Sequence, residues 1–272
     1  MSGVLERTLG ILELLAMNAE GMSLGSIAEQ LNIPRSAAHR LLTDLCRCGY
    51  VRQSRDHGDY VLTTKLVAMG LSYLQSTGIV DVAQPLLDRV AAASGEFVRL
   101  SVIDGDRLTW VAKAQGARRG LRYDPEMGAD AHLSCTASGH AWLMTLADEE
   151  ALMLVAKQGF GRPEDFGPNA PTSPQALLSA LHEARSRGFA ITIETFTPGM
   201  SVMAAPVQQP GKPATGVISV AGPTFRFDEK KMVILAPVLL EAAAELASMA
   251  GASPFFSVRE PVPGEPHMIV AG

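Results

Sequence analysis

Three cysteines in 272 residues are too few for a disulfide framework. Cys46 and Cys48 fall two apart on one predicted helix, about 200° around its axis, so they face different ways and are poor partners for each other. No CxxC or HxxxH pair accompanies them, so the sequence offers no zinc pattern, and no metal or cofactor is expected. There is no run of eighteen or more apolar residues, and the N-terminus lacks the basic, apolar, small-residue order of a signal peptide. Those absences point to a cytoplasmic protein without a membrane partner. Positive charge is not in excess either: a net charge of −5 and an isoelectric point near 5.7 exclude a generally basic, histone-like binder. They leave room for a local basic patch. No internal repeat is visible, and the length suffices for two domains that each bury a core.

The most informative stretch is residues 32–49. Pro34 suits a first helical position and Gly49 a position just past a helix end, so the spacing predicts one helix between them. Ala37, Ala38, Leu41, Leu42 and Leu45 repeat on one face; Arg35, Ser36, His39, Arg40, Thr43 and Arg47 fall on the other. Ser23 can cap a shorter helix over 24–31, with Asn32 and Ile33 as a tight connection: a helix-turn-helix pattern. Residues 50–53 and 60–62 read as strands joined across Asp56-His57-Gly58-Asp59, which completes a winged helix. Over residues 35–55 there are five arginines and one acid, Asp44, the concentrated patch that phosphate contact requires.

An amphipathic helix over 4–18 should pack on this motif. Thr64 can cap a linker helix over 65–75, whose apolar surface needs a partner, most economically a second copy of the chain. A further helix begins near Val80 and stops at Ser94-Gly95. The period then changes to two, and residues 97–103 and 108–112 form a hairpin across Asp104-Gly105-Asp106. Helices are expected over 136–146, from Asp148 as a cap to about 157, and from Ser173-Pro174 to Gly188. Strands are expected over 189–195, 202–208 and 214–221, and a long closing helix over 228–249. Helices around a mostly antiparallel sheet make an α+β sensor-like domain. The expected boundaries are 1–62 for the winged helix, 63–79 for the linker helix, 80–251 for the sensor domain and 252–272 for a proline-rich tail.

The order of these parts resembles the IclR family of bacterial transcription regulators. The resemblance is carried by Pro34-Arg35-Ser36-Ala37-Ala38-His39-Arg40-Leu41-Leu42; by His132-Leu133-Ser134-Cys135-Thr136-Ala137-Ser138-Gly139-His140-Ala141-Trp142-Leu143; and by Arg187-Gly188-Phe189-Ala190, Pro198-Gly199 and Ala204-Ala205-Pro206-Val207. It implies a DNA-binding homodimer, often paired into a dimer of dimers, with a GAF-like C-terminal domain that binds a small organic or aromatic acid. His132, Ser134, His140 and Val202 depart from the residues usual in the family.

For DNA, Arg35, Ser36, His39 and Arg40 are expected at base edges of the major groove of a palindromic operator. Thr43 is expected at the backbone, and Arg52 and Arg55 on the wing at phosphates or the minor groove. For the effector, the expected cup lies between residues 134–139 and the strands holding Met203 and Ser219. Ser134, Thr136, Thr192 and Ser219 are candidate hydrogen-bonding groups, and Met203 and Trp142 candidate walls. Arg99, Arg118, Arg119 and Arg122 are candidate cations, with Arg122 favoured for its apolar flanks. Ser134 and Thr136 read equally well as helix caps, and Met203 and Trp142 as core. Cys135 is either a reactive thiol or a buried inert one. Two rival readings follow: a GAF-like thiol enzyme using Cys135 with His132 or His140, and a winged-helix adaptor that binds protein. Whether a regulator would repress or activate is open.

Overall fold

The computed structural model describes residues 3–54, 58–118 and 128–249. The chain folds as two units that divide between Ser76 and Thr77.

The first unit begins with α1 (Val4–Ala16), whose inward residues Ile11 and Leu15 are fully buried. Its first turn is closed by Glu6, which accepts a hydrogen bond from the Gly3 N–H at 2.7 Å. Helix α2 (Leu24–Gln30) is capped by Ser23, whose Oγ accepts from the Ser26 N–H. The turn to α3 (Arg35–Arg47) passes through Asn32 at φ 49°, a left-handed conformation that asparagine tolerates better than most residues. Pro34 stands one place earlier than its sequence suggests. With φ −57° and ψ 139° it is the N-cap, so its own torsions end the turn rather than open the helix. Ala38, Leu41, Leu42 and Leu45 sink into a core with Ile11, Leu15, Ile27 and Val51; each leucine contributes roughly 1.5–3 kcal/mol by leaving water.

Strands β1 (Val51–Gln53) and β2 (Tyr60–Leu62) pair antiparallel, Arg52 opposite Val61. Helix α4 (Lys65–Thr77) follows. Its cap hydroxyl is Thr63, not Thr64: Thr63 Oγ1 accepts from the Lys65 N–H at 3.2 Å and donates to the Gly49 carbonyl at 2.6 Å. The same side chain thus ties the helix start to the end of α3. α4 also runs past its expected end at residue 75.

The second unit is a five-stranded, wholly antiparallel sheet of order β4-β3-β7-β6-β5. Its strands are β3 (Phe97–Asp104), β4 (Arg107–Gln115), β5 (Ala190–Ile193), β6 (Met200–Val207) and β7 (Gly216–Pro223). One face carries α5 (Ile79–Ser94) and α9 (Glu229–Ser248); the other carries α6 (Ala137–Leu143) and α8 (Pro174–Arg187). The architecture is α+β. Three helix starts follow simple capping: Thr136 accepts from the Gly139 N–H, Ser173 from Ala176, and Asp228 from Lys231.

Asp148 is not a cap. It is the first residue of α7 (Asp148–Gln158), and its carboxylate accepts from Arg185 at 2.6 Å and from His182 at 2.9 Å, tying α7 to α8. Gly139 owes its place to a close approach: a Cβ there would lie 2.4 Å from the Leu133 carbonyl oxygen, so only glycine lets α6 settle against residue 133. Among the described residues no helix is long and apolar enough to cross a membrane.

Candidate DNA interface and effector cavity

Helix α3 turns Ser36, His39, Arg40 and Thr43 to solvent, opposite its buried leucines. What distinguishes its cations is whether the protein uses them. Arg47 is held by Asp44 at 3.0 Å. Lys65 donates to the Cys48 carbonyl at 2.7 Å and lies 4.4 Å from the centre of the Tyr50 ring, so it serves the fold. Arg35 and Arg40 on α3, and Arg52 on β1, are exposed and make no ion pair or side-chain hydrogen bond among the described residues. Uncommitted guanidinium groups on one motif are what a phosphate backbone can recruit at little internal cost. Thr43 spends its hydroxyl proton on the His39 carbonyl at 2.8 Å, which leaves only its lone pairs for an outside donor. Arg55 lies outside the described residues.

In the second unit a narrow cavity of ≈ 20 Å³, room for about one water, opens on the α6 face of the sheet. Its floor is Arg99 of β3 together with Val202 of β6. Thr136, Ala137 and Ser138 at the start of α6 form one wall, and Thr192 with residues 195–197 forms the other. Arg99 is only 6% exposed, and its Cζ lies 3.9 Å from the centre of the Trp110 ring. Such a contact, worth on the order of 2 kcal/mol when desolvated, offsets part of the cost of burying a cation. Thr195 fastens the rim to the base of the site, its Oγ1 donating to the Cys135 carbonyl at 2.6 Å.

Of the residues expected in the cup, Thr136 and Thr192 line the cavity, and Thr136 is also the cap of α6. Ser134 is buried beneath it, bonded to His132 Nδ1 at 3.0 Å and, through its carbonyl, to His140 Nε2 at 2.8 Å. Ser219 is buried beside Arg99, its cross-strand partner on the same face, and does not line the cavity. Met203 is corrected by register. Val202 pairs with Thr192, whereas Met203 pairs with Ile191 and Val220, which alternation puts on the opposite face under α5 and α9. It is fully buried core, as is Trp142 at 5% exposure. Arg122, expected as the cation, and Arg119 lie outside the described residues; Arg118 belongs to a different concavity, with Arg226 and Lys231.

Ser138 falls within the expected 134–139 segment, whereas residues 195–197 and Met200 lie outside the expected cup. Arg99, one of the four expected cations, lines the cavity.

Cys135 is fully buried, and burial pushes its thiol up to about 12. A thiol held protonated across the physiological range is a poor nucleophile. Burial also holds the buried His140 and half-buried His132 below the ordinary histidine value. Among the described residues no group of three or more His, Cys, Asp or Glu is placed to hold a metal ion.

With this geometry in place, comparison with known proteins is specific. Residues 71–248 match the bacterial transcriptional regulator IclR C-terminal family, and residues 4–55 match the IclR helix-turn-helix domain. The chain is 30% identical over 243 residues to the HTH-type transcriptional regulator BhcR of Paracoccus denitrificans, covering 89% of this chain and 85% of that one. It is 26% identical to the transcriptional repressor IclR of Escherichia coli, covering 89% and 88%. Among solved structures, IclR of Thermotoga maritima superposes with a TM-score of 0.70 at 26% identity, over 90% of this chain and 97% of that one. An IclR homologue from Microbacterium hydrocarbonoxydans, complexed with 4-hydroxybenzoate, shares the fold with a TM-score of 0.75 at 20% identity, over 92% and 100%. Curated relatives of this kind are transcriptional regulators rather than enzymes, and the reading of Cys135 as a catalytic thiol is withdrawn. The helix-turn-helix with its free arginines and the sheet domain with its sheltered cation are the two halves of one design: this chain belongs to the IclR family of bacterial transcriptional regulators.

Proposed function

We propose that this regulator binds a palindromic operator as a homodimer or dimer of dimers in the cytoplasm, and that a small organic or aromatic carboxylate in the Arg99 cavity alters that binding. The observation that carries the effector half is a buried guanidinium on the floor of a cavity whose walls include Thr136 and Thr192. A carboxylate takes the guanidinium, and a hydroxyl or keto oxygen on the same ligand takes Thr192, since Thr136 spends its proton on the His132 carbonyl at 2.8 Å and accepts from the Gly139 N–H. The 4-hydroxybenzoate bound by the Microbacterium homologue has both groups, which supports this chemistry. In the DNA half, Ser36, His39 and Arg40 read base edges, while Thr43, Arg52 and Arg55 contact backbone or minor groove.

An acid changes operator affinity only if it binds the DNA-competent and DNA-incompetent arrangements unequally. In this reading, the rearrangement that admits the acid to this narrow cavity acts through a linker helix over residues 63–79, between a winged helix of residues 1–62 and a sensor domain of residues 80–251, with residues 252–272 as a tail. The repressors among the curated relatives favour repression as the sign of the effect. The test is fluorescence anisotropy of the full chain on duplexes recovered from a random pool, at two salt concentrations, with and without a panel of short and aromatic carboxylates. Salt-dependent, sequence-selective binding that one acid shifts is expected; binding indifferent to every acid would remove the effector half.

A further inference from the structure

The cations of α3 do not share a direction. At about 100° per residue, Ser36, Arg40, Thr43 and Arg47 all lie within roughly 30° of the line opposite the buried Ala38, Leu41, Leu42 and Leu45, whereas Arg35 lies about 110° off it. Its guanidinium lies back across α2: a Cβ added to Gly25 would lie 2.4 Å from Arg35 Nη2. Arg35 there borders a groove between α2 and α3 that also presents the side chains of Ser23 and Ser26. Glu29 borders the same groove, yet Arg35 forms no ion pair with it or with any other described residue.

In a helix-turn-helix the first helix crosses the DNA backbone while the second enters the major groove. A guanidinium parked over the first turn of α2 therefore meets the strand, not the base edges. We infer that Arg35 is a phosphate clamp, seated by the side-chain-free Gly25 and assisted by the one hydroxyl proton that Ser23 and Ser26, bonded to each other at 3.0 Å, leave free, and that it fixes the register in which Ser36 and Arg40 read bases. This rests on the proposed operator binding and reassigns one residue within it. Gly25 gains a role as well: any side chain there displaces the clamp.

The experiment uses the full chain. Duplexes are selected from a random pool by the parent, and affinities for a selected and a scrambled duplex are followed over a salt series. Arg35→Ala is expected to weaken both duplexes by the same factor, about 3- to 10-fold, and to lower the salt slope by about 1. Reselection with this variant should return the parental sequence. Arg35→Lys should keep most of the slope, because a phosphate accepts a point charge. Gly25→Ala should reproduce the uniform loss with an unchanged melting temperature, since the added methyl meets only the tip of a flexible side chain. Arg40→Ala, by contrast, should return an altered sequence. An altered sequence on reselection with Arg35→Ala, or an unchanged salt slope, would overturn the clamp and leave operator binding standing. Failure of the parent to retain any duplex would overturn both. If Arg35→Ala melts below the parent, Arg35→Lys and Gly25→Ala carry the same discrimination.

Discussion

In the helix-turn-helix unit Arg35, Arg40 and Arg52 stand in water with no partner among the described residues, whereas in the sheet unit Arg99 is buried against the Trp110 ring. The difference matches what each unit is proposed to recognise. DNA supplies a dense row of phosphates, and its affinity comes from displacing many counterions, so each cation contributes modestly and must stay hydrated and free until contact. A small acid supplies one carboxylate and a few oxygens. It can be held only where water is already excluded and a single charge pair is strong. Solvent exposure is thus the variable that sorts these arginines by task, and residue type alone does not.

The comparison is most exposed at Arg99. Arg99→Met removes the buried charge and keeps volume and apolar contact with Trp110. Loss of one or two charged hydrogen bonds, about 1.5–3 kcal/mol each, should weaken acid binding on the order of 100-fold by titration calorimetry. Operator binding without acid should be unchanged. A variant that still responds to acid would show that the sheltered guanidinium is structural. On the exposed side, Arg40→Ala should lose about 1–3 kcal/mol at the cognate sequence, and less at others, in competition anisotropy with single-base variants of the site. Equal losses everywhere would make Arg40 a backbone contact and blur the distinction from Arg52.

Burial also sets a pH signature in the sheet unit. His140 and His132 have folded-state values pushed below the ordinary 6.5. The unfolded chain therefore takes up protons first as pH falls, and the native state loses stability from about 6.5 downward while being unaffected above it. The loss is at most about 1.4 kcal/mol per pH unit for each histidine. Denaturant melts at pH 7 and pH 5 should show it, and His132→Gln should remove part of the slope. A parent equally stable at both values would contradict the dehydrated setting assigned to the α6 face.

How far these sites were legible follows the same division. The helix-turn-helix could be read because its signals are local: Ser23 caps, the leucines of α3 repeat every three or four residues, and the free face carries the arginines. The cavity was read in part. Strand β7 is buried at every position and β3 nearly so, because helices cover both faces of the sheet. Alternation therefore could not say which parity faces α6, and Met203 was placed on the wrong side of β6. The rim at residues 195–197 has no periodic pattern, and Thr195 is fixed by a partner sixty residues away. Asp148 shows the same limit at a helix end: an acid at the right place for a cap was taken by Arg185 and His182 on α8.

The smallest expected effect belongs to Arg52, and it decides how the exposed cations divide. Arg52 sits on β1 opposite Val61, in a two-stranded wing where backbone pairing fixes its direction but nothing among the described residues holds its tip. A long side chain with that freedom loses rotamer entropy on docking, which cancels much of the single phosphate contact it gains. Arg52→Ala should therefore cost all duplexes alike, by no more than about 1 kcal/mol at moderate salt, and the cost should fade as salt rises. Anisotropy over a salt series, run beside Arg40→Ala, measures both. A loss confined to one sequence would mean that the wing reads the minor groove. The contrast between the units would then need a third kind of arginine, exposed yet selective through groove width rather than base edges.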